Sequence, residues 1–208
     1  MTVMEQDRRV VPRLQMPQSL SPAQAEVVAE VVAGKRGKVP APMIPWLRTP
    51  ELARRAQRLG ELLRFDSALE PELSELAILV CARHWNSHHE WTAHKSIALE
   101  AGLDPQTITD IAARKSEPHL RSQRERIVYR VAHSLLAQGL LEDALYDEGM
   151  AVLGECGMVD LVAILGYYSM VALTLNAFRI GLPGSFAAEL DAEGTEDLGI
   201  SITGKERT

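Results

Sequence analysis

Residues 71–102 read PELSELAILVCARHWNSHHEWTAHKSIALEAG, and this stretch decides the fold. Its first half is mostly apolar and predicts a helix over about Pro71–Trp85. Ser87–Glu90 then has the spacing of a capping box, with a serine followed three residues later by a glutamate. We therefore expect the chain to break near Asn86 and to begin a second helix that ends at Gly102.

Helical signals extend in both directions from this stretch. Ser21-Pro22 and Thr49-Pro50 each place a capping side chain before a proline at the first helical position. No run alternates convincingly at period two, and no hairpin dipeptide occurs, so the predicted fold class is all-α. The further helices are predicted over residues 22–34, 50–65, 105–113, 121–138, 142–155 and 158–180. The run VPAPMIP at 39–45 is predicted to be a loop, because its prolines remove backbone donors.

The length of 208 residues predicts one domain with trailing ends. Residues 1–20 carry charges and prolines without apolar periodicity and are expected to form a mobile N-terminal arm. Residues 21–188 are expected to form a single helical domain, and the acidic segment 189–208 a flexible tail.

Composition excludes some classes of partner. The chain is 46% hydrophobic and has a net charge of −6, so we expect neither nucleic acid nor an anionic membrane as partner. The apolar run 161–175 is short for a bilayer span of ~20 residues and is predicted to be a core helix. The N-terminus lacks a signal-peptide core, and Cys81 and Cys156 are predicted to be buried free thiols. A cytoplasmic location is therefore expected.

Segment 75–94 holds four histidines and two glutamates among apolar and tryptophan residues. On a helix, Ser87, Glu90 and His94 would fall within an arc of about 60°. Glu90 and His94 are four residues apart, so the carboxylate could contact the imidazole, orient it and raise its basicity for proton transfer. The neighbouring Trp85 and Trp91 favour a partly enclosed pocket. The alternative is a surface pair in which Glu90 only completes the capping box.

A metal site is a weaker hypothesis for the same segment. His84 and His88 are also four residues apart, but the spacing lacks the glutamate and the third ligand of a zinc protease. A helix break near Asn86 would also place the two histidines on different helices. We therefore expect no metal and no other cofactor.

Residues 43–185 resemble the carboxymuconolactone decarboxylase and alkylhydroperoxidase-D-like superfamily. The resemblance depends on three stretches together: TPELARRAQRLGELLRFDSALEPELSELAILVCARHW, SHHEWTAHKSIALEAGLDPQTITDI and LVAILGYYSMVALTLNAFRIGLP. It implies an alkylhydroperoxidase-D-like helical fold and assembly into homo-oligomers, often trimers or hexamers.

The peroxidase branch of that superfamily carries a glutamate, then Cys-x-x-Cys twelve residues later, then a histidine. Glu75, His89 and His94 match the glutamate, the inner histidine and the last histidine, but Ser87 and Glu90 occupy the cysteine positions. Without two vicinal thiols, two-cysteine peroxide reduction is not expected. Cys81 lies six residues before the motif, about 9 Å along a helix, and cannot substitute for them.

In the decarboxylase branch the motif is Glu-x-x-x-His, which Glu90 and His94 match. The resemblance then implies a cofactor-independent lyase, or a related hydrolase or isomerase, acting on a small lactone or carboxylic acid of the kind met in aromatic catabolism. Glu75, Glu90 and His94 are the predicted catalytic residues. Two alternatives stay open: a peroxidase-like antioxidant protein, and a non-catalytic oligomeric small-molecule-binding module. The substrate pocket is predicted to contain Trp85, Ser87, His89 and Trp91.

Overall fold

The computed structural model describes residues 12–181 and 189–190, and within them it contains eight helices and no β-strand. The all-α prediction is therefore confirmed. The helices are α1 (Pro22–Ala33), α2 (Met43–Trp46), α3 (Pro50–Phe65), α4 (Pro71–His84), α5 (His88–Glu100), α6 (Pro105–Ala112), α7 (Gln123–Gln138) and α8 (Asp143–Ala177).

Helix α4 is the centre of the fold. Every residue from Leu73 to Arg83 is buried, and α5, α7 and α8 pack around it. A helix that is enclosed on all sides must be apolar nearly all round, which explains the unbroken run in its sequence. The predicted break follows it: Asn86 has a positive φ of 48°, and α5 begins two residues later.

Local capping explains where several helices begin. At α1 the Ser21 hydroxyl accepts the backbone N–H of Gln24, and the Gln24 side chain accepts the N–H of Ser21, which completes a capping box. Thr49 occupies the N-cap of α3, but its side chain makes no capping hydrogen bond. The start of α3 therefore depends on Pro50, whose fixed φ suits the first helical position.

The predicted loop at 39–45 is wrong in its second half, because a short helix occupies Met43–Trp46. Pro45 lies in its first turn, where a missing N–H removes no intrahelical hydrogen bond. Leu47 closes the turn by donating its N–H to the carbonyl of Met43 at 2.9 Å, and both side chains are fully buried. Burial of these side chains stabilises a turn that local propensity does not favour.

The two helices predicted over 142–155 and 158–180 are both present within α8, and a kink at Gly154, whose φ and ψ are not helical, separates them. This glycine has a φ of 74°, a left-handed value that other residues rarely adopt. Among the described residues, α8 is the helix long and apolar enough to cross a membrane by length and composition, and 56% of its most apolar 18-residue window is buried inside the protein.

The prediction that Cys156 is buried is wrong, because its side chain is exposed. It lies on the side of α8 that carries Glu155 and Val159, which are also exposed. Apolar neighbours in the sequence therefore did not indicate burial at this position.

Parts of the predicted ends lie outside the described residues, namely 1–11, 182–188 and 191–208. The described part of the N-terminal segment contacts the end of α8. The Arg13 backbone N–H donates to the carbonyl of Phe178 at 2.9 Å, and its guanidinium donates to the carbonyl of Ala177 at 2.8 Å.

Candidate active site

Three helices bring a set of polar side chains together beneath the surface. Glu75 comes from α4, Glu90 and His94 come from α5, and Tyr168 comes from α8. The three titratable residues predicted from the sequence are buried, with exposed fractions of 4% for Glu75, 2% for Glu90 and 8% for His94. We refer to Glu75, Glu90, His94 and Tyr168 as the buried acid cluster.

The partner of His94 is Glu75, and the predicted contact with Glu90 is absent from the described hydrogen bonds. Glu75 Oε2 lies 2.7 Å from His94 Nδ1. With Glu75 ionised, the carboxylate can only accept, so Nδ1 carries the proton and Nε2 is the nitrogen available for proton exchange. The break at Asn86 folds α5 back against α4, which places His94 opposite a carboxylate nineteen residues earlier in the chain.

Glu90 is buried without a hydrogen-bond partner for either carboxyl oxygen within the described part of the chain. Burial raises the pKa of Glu90 well above its ordinary value, and the nearby negative charge of Glu75 raises it further. Burial therefore favours the neutral carboxylic acid form of Glu90 over the carboxylate. The cluster combines this acid with the hydrogen-bonded pair of Glu75 and His94.

The predicted capping box at Ser87–Glu90 does not form. Ser87 occupies the N-cap of α5, but its side chain makes no capping hydrogen bond. Its hydroxyl is buried and unpartnered among the described residues, as are both carboxyl oxygens of Glu90. Buried polar atoms are nearly always hydrogen-bonded, so a group of unpartnered ones marks a place where a ligand or water belongs.

Tyr168 is a member of the cluster that the sequence did not indicate. Its ring meets the His94 ring edge to face, with centroids 5.0 Å apart. Burial raises the pKa of Tyr168, and the charges of Glu75 and Glu90 raise it further, so the side chain stays a neutral phenol. Its hydroxyl is buried and has no hydrogen-bond partner within the described residues. The sequence feature that could have indicated Tyr168 is the tyrosine pair in LGYYSM, where two hydroxyls interrupt an otherwise apolar helix.

The hydrogen bonds of the other predicted pocket residues go to groups outside the cluster. Trp85 donates its indole N–H to Ser169 Oγ at 2.9 Å. Trp91 is buried, and its indole N–H lies 3.4 Å from Glu189 Oε2. His89 is only partly buried, and its Nδ1 lies 3.0 Å from the carbonyl oxygen of Gly181, beyond the end of α8.

Cys81 is the buried thiol nearest to this chemistry, and it is not activated. Its sulfur lies 3.5 Å from Ser169 Oγ. Burial raises the pKa of Cys81 to about 12, and the charge of Glu90 contributes in the same direction. At neutral pH the side chain is therefore a thiol and a poor nucleophile. Both cysteines are free.

The histidines considered for metal binding lie on separate helices, because α4 ends at His84 and α5 begins at His88. The His84 ring packs edge to face against Trp85, with centroids 4.8 Å apart. Within the described ranges, no three His, Cys, Asp or Glu side chains come together in a way that could hold a metal ion.

Two clefts lie elsewhere on the protein. One, of about 130 Å³, is lined by the cationic side chains Arg83, Arg114 and Lys115 and by two histidines, His84 and His133. Burial lowers the pKa of His84, and the charge of Arg114 lowers it further. The other cleft, of about 650 Å³, is apolar and lies between α7 and α8. Neither lining includes a member of the buried acid cluster.

The sequence matches no protein-family model, and no curated protein matches it. The resemblance described above therefore stays a prediction.

Proposed function

We propose that this protein is a carboxymuconolactone decarboxylase-like enzyme that uses acid–base chemistry, without a cofactor, on a small lactone or carboxylic acid. The observation that carries the proposal is the buried Glu90, whose raised pKa favours a carboxylic acid, near the hydrogen-bonded Glu75–His94 pair. Neighbouring groups whose environments give them different protonation states are the usual basis of paired acid and base roles.

The reaction requires a proton at carbon. When the bond between the substrate carbon and its carboxylate breaks, CO₂ leaves and the electron pair delocalises into the conjugated lactone. Glu90, as a carboxylic acid, can donate a proton to that carbon and become a carboxylate. His94 Nε2, with Nδ1 held by Glu75, can return a proton from solvent to Glu90. The Tyr168 hydroxyl is a donor to the charge that develops on the lactone oxygen.

A related hydrolase or isomerase would use the same acid and base. The peroxidase alternative has less support, because it needs a thiolate and the pKa of Cys81 is raised to about 12. The binding-module alternative predicts that ligands bind and are not converted.

The test is a screen of the purified protein against lactones and aromatic-derived acids, with CO₂ release and hydroperoxide consumption measured in parallel. We expect turnover of one of these acids or lactones, its loss in Glu90→Gln and His94→Ala, and its retention in Cys81→Ala. Hydroperoxide consumption that disappears in Cys81→Ala would contradict the proposal. Binding without conversion would favour the binding module.

Self-association is part of this proposal. Apolar side chains on the outer side of α8 are exposed, and three of them line the apolar cleft: Tyr146, Val159 and Val162. An exposed apolar surface of this kind supports a subunit interface. Light scattering on the eluting protein should give a trimer or hexamer, and Val159→Glu should shift it to a smaller species. A monomer for the unmodified chain would contradict this part.

A further inference from the structure

Arg36 lies close enough to Tyr167 and Tyr168 for its charge to lower the pKa of both, and Tyr168 belongs to the buried acid cluster. Arg36 lies in the turn after α1, and its guanidinium reaches α3 at Gly60. A Cβ at Gly60 would lie 2.1 Å from the hydroxyl oxygen of Tyr167 and 2.7 Å from Nη2 of Arg36. Only a residue without a side chain leaves room for both groups, so Gly60 allows the guanidinium and the phenol to meet at this point.

A row of rings leads from that point to the acid cluster. The ring centroids of Tyr167 and Tyr168 are 5.3 Å apart, and those of Tyr168 and His94 are 5.0 Å apart. Burial raises the pKa of Tyr167 to about 12, whereas the charge of Arg36 lowers it. Arg36 therefore lies at one end of the row, and the Glu75–His94 pair lies at the other.

Arg36 has no hydrogen bond or ion pair with any described residue, and its Nε is buried. Most other described arginines have a carboxylate or a carbonyl as partner. Arg54, for example, binds Glu30 at 2.9 Å, and Arg58 binds the same carboxylate at 2.8 Å. A buried guanidinium nitrogen without an acceptor is costly, and a carboxylate is the group whose geometry fits a guanidinium.

From these observations we infer that Arg36 binds a carboxylate of the substrate, an inference that rests on the proposed function. The position of Arg36 at the far end of the tyrosine row means that this carboxylate is remote from the carbon that His94 and Glu90 protonate. The substrate class is therefore an acid whose anchoring carboxylate is retained in the product, and not a neutral lactone.

The experiment compares two probes that differ in one charge: a butenolide that carries a carboxylate, and the methyl ester of the same compound. Calorimetric Kd values are measured for the unmodified protein, Arg36→Gln and Arg36→Lys. The control is Arg55→Gln, because Arg55 is exposed on the neighbouring α3 and pairs with Glu51. Circular dichroism establishes that each variant is folded. If Arg36→Gln does not fold, Arg36→Lys is the variant that tests the inference.

We expect the unmodified protein and Arg55→Gln to bind the acid about 10- to 100-fold more tightly than the ester. Arg36→Gln should lose this preference and bind the ester as before, and Arg36→Lys should keep only part of the preference, because an ammonium lacks the planar fork. A folded Arg36→Gln that still prefers the acid would overturn the inference, as would equal binding of acid and ester by the unmodified protein. If turnover is unchanged in Glu90→Gln and His94→Ala, the proposed function is wrong. That result would not contradict the inference that Arg36 binds a carboxylate.

Discussion

Helices α3 and α5 each place a glutamate four residues before a basic side chain, and the two pairs behave differently. On α3, Glu51 and Arg55 form the expected ion pair at 2.7 Å, with side chains that are 57% and 79% exposed. On α5, His94 bonds instead to Glu75 on α4. Spacing decides the partner of a side chain only where the pair faces water, because in the interior the neighbouring helix supplies competing groups.

The two glutamates also differ in charge. The hydrogen bond from Arg55 lowers the pKa of Glu51, whereas burial raises that of Glu90. Glu51 faces water and has a cationic partner, so its ionised form is favoured. Glu90 is buried and no described residue hydrogen-bonds to its carboxyl oxygens, so its neutral form is favoured. The same residue type is thus stabilised as an anion at the surface and as a neutral acid in the interior.

The largest expected effect is on catalysis at His94. If this ring exchanges the proton, His94→Ala should lower kcat by about 10²- to 10⁴-fold, the usual contribution of general acid–base catalysis. KM should change much less, because other groups hold the substrate. Steady-state kinetics on the substrate found in the screen measures both constants, and Glu75→Gln should give a smaller decrease in kcat, because it keeps a hydrogen-bond acceptor and removes only the charge. An unchanged kcat in His94→Ala would show that His94 is not a catalytic residue.

The second prediction concerns the protonated state of Glu90. The folded protein keeps a proton on Glu90 that the unfolded chain releases above a pKa of about 4.3. Stability should therefore fall as pH rises from that value to the raised pKa of the folded state. The glutamine in Glu90→Gln is neutral at every pH, so this variant should lack the decline. The difference in free energy of unfolding between the variant and the unmodified protein should therefore shift in favour of the variant as pH rises. Its kcat should fall by about 10²-fold.

Urea unfolding of both proteins at several pH values from about 4 to about 8 measures this dependence. Glu51→Gln is the matched control, because it neutralises a solvated glutamate and should follow the unmodified protein with rising pH. Parallel curves for the unmodified protein and Glu90→Gln would show that Glu90 is ionised in the folded state.

The same contrast between surface and interior explains what the sequence could predict. The helix that begins after Ser21 depends on a local capping box, which the sequence carries directly. The predicted break near Asn86 is present, although the capping box that indicated it does not form. The Glu75–His94 pair and the approach of Tyr168 depend on how three helices pack, which no spacing along one helix encodes. Arg36 was missed for the same reason, because it lies in a turn and meets the cluster only through the tertiary fold.

The third prediction separates the two cysteines. Cys81→Ala leaves a small cavity under α8 and should cost ~1–3 kcal/mol in the free energy of unfolding. Cys156→Ala removes an exposed side chain and should change stability by less than about 0.5 kcal/mol. Neither substitution should alter kcat by more than a few-fold, since the buried thiol is protonated at neutral pH and the other lies outside the cluster. A folded Cys81→Ala protein without activity would show that thiol chemistry is required.

The smallest effect is expected for the exposed pair on α3, and a double-mutant cycle measures it against the buried pair. The cycle on Glu51→Ala and Arg55→Ala removes an ion pair that water screens and that two long side chains must lose freedom to form. Its coupling should be close to the error of chemical unfolding and should shrink further in added salt. The cycle on Glu75→Ala and His94→Ala should give a coupling well outside that error and nearly independent of salt, because each single substitution leaves its partner buried and unpaired. Equal coupling free energies in the two cycles would mean that burial does not distinguish the two pairs. The proposal that Glu75 and His94 form the reactive pair would then have no energetic support.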